Sequence, residues 1–103
     1  MNSAEEDLHG QAEVVSLICS KVRQDLEGRL GTQLACLCFA IYEYGLASGI
    51  FGESSAITQG LAVRNRPLIE EMQTDSTPAR YMKLSYELGL RHGRLIRVMM
   101  VLN

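Results

Sequence analysis

A chain of 103 residues, 47% apolar and 21% charged, is long enough for one domain with one modest core. That balance, with two prolines and no low-complexity run, excludes extended disorder beyond the first few residues. The net charge of −2 hides an asymmetry: residues 1–53 carry eight acids against three bases, and residues 54–103 carry seven bases against four acids. The halves are expected either to neutralise each other on packing or to offer a basic face to an anionic partner.

In chain order, Ser3 followed by Glu6 has capping-box spacing. Leu8, Ala12, Val15, Cys19, Val22, Leu26 and Leu30 then recur at three- and four-residue steps, which predicts a helix with one apolar stripe. Lys21, Arg23, Asp25, Glu27 and Arg29 mark its solvated side, and Gly31 is a stop signal. Thr32 is the candidate cap of the next helix. From Leu34 to Phe51 the chain reads LACLCFAIYEYGLASGIF, with Glu43 its one charge. The length approaches a membrane span, but a mid-span carboxylate costs about 2.5–3.5 kcal/mol in lipid, so a central buried helix is expected.

Gly49 and Gly52 suggest a break. Ser54 or Ser55 can cap a short helix through Ala56, Ile57, Leu61 and Val63, and Pro67 opens another through Leu68, Ile69 and Met72. The stretch TDSTP at 74–78 is a turn, and Thr77-Pro78 starts the last helix. That helix carries Met82, Tyr86, Gly89, Gly93, Ile96 and Met100 at near-helical steps and ends in VMMVL. No strand alternation appears. The expected fold is all-α, one domain over 1–103 built as a small bundle of four or five helices.

Two of these helices share a phrase. YEYGLASG at 42–49 returns as YELGLRHG at 86–93. Paired glycines four apart leave a groove that another helix can approach closely. The phrase resembles the first helix of tetratricopeptide-like repeats over eight residues in each copy, with Ile50 and Arg94 where that family has alanine. The resemblance implies stacked helical hairpins. The alternative is two helices that each need close packing.

Nothing here reads as enzyme chemistry. No phosphate loop, nucleophile elbow or dinucleotide fingerprint occurs. Cys36 and Cys38, two apart, do not share a helical face, and His9 and His92 do not complete a zinc set with Cys19. The three cysteines are expected to be buried structural thiols in a reducing, cytoplasmic compartment, with no cofactor or metal.

The expected function is therefore a non-enzymatic interaction module — chaperone, adaptor or antagonist — that presents an apolar groove to a protein partner or to a second copy. Its candidate residues are Tyr42, Glu43, Gly45, Gly49, Met82, Tyr86, Gly89, Gly93, Met99 and Met100. By size and helical phrase the chain looks like the small tetratricopeptide-type chaperones of bacterial secretion systems. Glu43, on an apolar helix, must reach water or find a base among Arg91 to Arg97. The rival reading is a nucleic-acid-binding regulator that contacts phosphates through Arg91, Arg94 and Arg97. His92, between two arginines, reads as a surface group.

Overall fold

The computed structural model describes residues 3–102, with side chains from Ala12 onward. It contains five helices and, among the described residues, no strand: α1 (Ser3–Leu30), α2 (Thr32–Phe51), α3 (Ala56–Arg64), α4 (Arg66–Met72) and α5 (Thr77–Leu102). The Ser3–Glu6 capping box lies outside the described side chains.

Glycine and serine set the boundaries. Gly31, at φ +79°, turns the chain between α1 and α2, and Gly52, at φ +90°, ends α2. Both angles favour a residue without a Cβ. Gly31 rather than Thr32 occupies the cap of α2, and no side chain satisfies its first amides. Gly49 does not break α2, which continues to Phe51. Ser55 caps α3 by accepting from the Thr58 amide at 3.1 Å. Pro67 lies in the first turn of α4. α5 starts at Thr77 as expected, and Ser76 caps it: its Oγ accepts from the Ala79 amide at 3.2 Å and donates to Glu71 at 2.8 Å.

Helices α2 and α5 form the centre. Their contact brings Tyr42 to Gly89, Leu46 to Gly93, Tyr86 to Gly45 and Leu90 to Gly49, so residue numbers rise together and the helices run parallel. A parallel pair needs a return path. The short helices α3 and α4 supply it along α2: Leu68, Ile69 and Met72 of α4 pack on Cys38, Ile41 and Met82, near the starts of α2 and α5. α1 runs antiparallel to α2 through the turn at Gly31. Its Val15, Ile18, Cys19, Val22 and Leu26 cover Phe39, Tyr42, Leu46 and Ile96. Ile41, Tyr42 and Met82 are fully buried, each contributing about 1.5–3 kcal/mol by removal from water.

The envelope is 50 × 30 × 19 Å, about two helix diameters thick. The joining segment is two short helices rather than the single second helix of a tetratricopeptide unit. By length and composition α2 could cross a membrane, yet 56% of its most apolar window is buried inside the fold. A helix covered by four others needs that same apolarity.

Candidate functional site

The repeated phrases face each other. The carbonyl of each tyrosine, Tyr42 and Tyr86, lies against the first glycine of the opposite copy, Gly89 and Gly45. The carbonyl of each following leucine, Leu46 and Leu90, lies against the second, Gly93 and Gly49. A Cβ on Gly49 would stand 2.5 Å from the Leu90 oxygen and 2.8 Å from the Arg94 nitrogen. Only a Cα–H fits such gaps, which places Cα–H groups against carbonyl oxygens on both helices. Each interior glycine costs up to about 1 kcal/mol relative to alanine, and close packing of two helices is what that cost secures.

This geometry corrects the expected site. Tyr42, Gly45, Gly49, Met82, Gly89 and Gly93 are all buried, so the groove meant for a partner is filled by the chain itself. Each glycine groove already holds the other helix's backbone. Of the remaining candidates, Tyr86 is half-buried, its ring tilted against Tyr44 at 5.5 Å. Glu43, Met99 and Met100 are exposed. Glu43 reaches solvent at the edge of α2, beside Cys19.

The buried tyrosine carries an unforeseen contact. Its hydroxyl hydrogen-bonds His92 Nδ1 at 2.8 Å, with the imidazole edge-on to the ring at 5.7 Å. His92 is half-buried rather than a surface group, because the first turn beyond Leu88 brings it under α1 beside Lys21 and Asp25. Burial, and secondarily Arg91, lowers its pKa from 6.5. Burial pushes the Tyr42 phenol well up. Phe39 stacks on Tyr42 at 5.9 Å, and the Arg23 guanidinium caps the Phe39 ring at 4.4 Å.

The cysteines divide. Cys38 is buried, and burial raises its pKa; Cys19 is half-buried, raised by burial and then by Glu43. Cys36, contrary to expectation, is exposed: two positions from Cys38, it points away from the core. No disulfide joins them, and no group of three metal-ligating side chains occurs among the described residues.

Two surfaces remain. An apolar groove of about 460 Å³ runs between α1, α2, α3 and α5, lined by Val15, Cys19, Ile50, Phe51, Leu61 and Met100, with Glu43 at its rim. The second is the outer side of α5. There Leu84, Leu95 and Val98 are 63%, 58% and 53% exposed, and Val101 and Leu102 are more exposed still. Arg91 and Arg94 join Glu87, Leu90, Leu95 and Val98 around a shallow depression of about 380 Å³; Arg97 does not line it. The signal for this outer face was available: α5 holds more apolar residues than its inner stripe of Ala79, Met82, Ser85, Gly89, Gly93 and Ile96 can absorb.

Comparison with protein-family models, with curated proteins and with solved structures finds no match.

Proposed function

We propose that this protein is a non-enzymatic interaction module that binds another polypeptide through the outer face of α5. One observation carries the reading. The inner face of α5 is spent on α2, α1 and α4, yet its outer face still exposes Leu84, Leu95, Val98, Val101 and Leu102. Leaving such a row in water forgoes about 25 cal/mol per Å² of apolar surface, and contiguous rows of this kind mark interaction sites. The role is that of a small chaperone, adaptor or antagonist, because the face offers shape and apolarity without any reactive group.

The test replaces Leu95 with a photo-crosslinking residue in the cells that make the protein, with exposed Gln73 as the control position. A discrete adduct with another protein from position 95 but not from 73 supports the reading. Identical patterns from both positions refute it. The second reading, phosphate binding by the basic helix, draws on the exposure of Arg91, Arg94 and Arg97. It requires nucleic acid bound with a steep salt dependence, which arginine-to-glutamine substitution would flatten.

A further inference from the structure

The outer face of α5 has a regular spacing. Tyr81, Leu88, Leu95 and Leu102 stand seven residues apart, and Leu84, Arg91 and Val98 fill the alternate three- and four-residue steps. That is the a/d seam of a coiled coil, with one arginine at its midpoint. It runs beside the inward stripe at Met82, Gly89, Gly93 and Ile96, and Leu88, half-buried against the core, forms its inner edge. At 1.5 Å per residue the seam runs about 30 Å. Depressions flank it on both sides, one around Arg94 and Leu90, the other against Lys21, Val22, Gln24 and Asp25 of α1.

Charge selects the occupant. A helix laid on this seam covers Arg91, and a guanidinium taken out of water without a carboxylate is strongly unfavourable. Among the described residues neither Arg91 nor Arg94 has an ion-pair partner. Along the seam and its α1 flank the exposed charges are Arg80, Arg91, Arg94 and Lys21 against Glu87 and Asp25, and Asp25 is already paired with Arg29 at 3.1 Å. A second copy of this chain laid seam to seam would bring four bases against two acids and repel. An acidic helix would supply the missing carboxylates.

We infer that the seam from Tyr81 to Leu102 docks an amphipathic helix of another protein, about three heptads long, with leucine-type residues on its contact face and glutamate or aspartate opposite Arg91 and Arg94. The inference rests on the interaction-module reading and names its partner class.

The experiment uses the full chain and two synthetic three-heptad peptides with leucine at both seam positions. One carries glutamate at the central seam position and along the flanks; the other carries lysine there. Fluorescence anisotropy should show the glutamate peptide bound at least about tenfold more tightly than the lysine peptide, with the preference shrinking as salt rises. The double variant Arg91→Glu/Arg94→Glu should reverse the order. Leu95→Gln should weaken binding of the glutamate peptide to the otherwise unchanged chain. Equal binding of both peptides overturns the acidic-partner inference while leaving the interaction reading in place. Binding of neither peptide overturns the inference, as does a dimer in light scattering that Leu95→Gln dissolves, since the occupant is then a second copy. Crosslinking from position 95 judges the interaction reading separately.

Discussion

Adding one methyl group to Gly49 tests the central contact most directly. In an exposed helix interior, Gly→Ala stabilises by up to about 1 kcal/mol. At Gly49 the new Cβ would sit 2.5 Å from the Leu90 carbonyl oxygen, whereas ordinary contact begins at 3.4 Å. The obstacles are backbone atoms, Leu90 O, Arg94 N and Gly93 Cα, so no side chain can swing aside. Helices α2 and α5 must part by nearly the whole shortfall at that level. A radial gap of about 0.5–1 Å forfeits a quarter to a half of each dispersion contact it opens, and Leu46 and Ile96 lie in that layer. Overpacking of this kind costs about 1–3 kcal/mol, more when backbone must move, which exceeds the propensity gain. Gly49→Ala is expected to lose about 2 kcal/mol, or roughly 8–16 °C in Tm for a domain of this size. Gly60→Ala is the control, since a Cβ there meets nothing within 4 Å; it should gain about 0.5–1 kcal/mol. Chemical denaturation followed by far-ultraviolet circular dichroism reads both, at matched denaturant slopes. If Gly49→Ala proves as stable as Gly60→Ala, the two phrases do not meet backbone to backbone and the parallel pairing is wrong.

Four further outcomes are expected. Tyr42→Phe should cost about 0.5–1.5 kcal/mol, the worth of its hydrogen bond to His92; a change indistinguishable from zero would mean that the bond is not made in solution. Because the folded-state pKa of His92 lies below 6.5, the unfolded chain binds the proton more readily, so stability is full above about 6.5 and falls as pH drops through the folded pKa. His92→Asn should flatten that slope below about pH 6.5, and an unchanged pH profile of Tm would count against it. Among the described residues Ser48 Oγ is buried with no partner, so Ser48→Ala should be neutral or stabilising by about 1 kcal/mol; a clear loss in equilibrium unfolding would show that the hydroxyl is satisfied. Iodoacetamide on the native protein should label Cys36 first and Cys38 last, an order that peptide mass mapping reads directly.

Much of this molecule is written locally. Gly31 and Gly52 each require a backbone angle that other residues avoid, and Ser55 supplies its own cap, so helix ends follow from neighbouring residues. The paired glycines at 45, 49, 89 and 93 announce helix contacts at backbone distance by their four-residue spacing on one face, which the lone helical Gly28 and Gly60, with nothing within 4 Å, lack. What they approach is not a local property. A glycine groove accepts a helix of either direction from the same chain or another. Only the return of α3 and α4 along α2 makes α5 parallel and sets the two phrases against each other, and that arrangement buries Tyr42, Met82 and all four glycines. It likewise turns Leu84, Leu95 and Val98 to water, for exposure depends on how many neighbours a face acquires, a count that exists only after the chain has closed on itself. Helix type and the demand for close packing therefore belong to the sequence alone. The choice of which apolar face is core and which is left open belongs to the tertiary structure, because burial is a relation between distant segments.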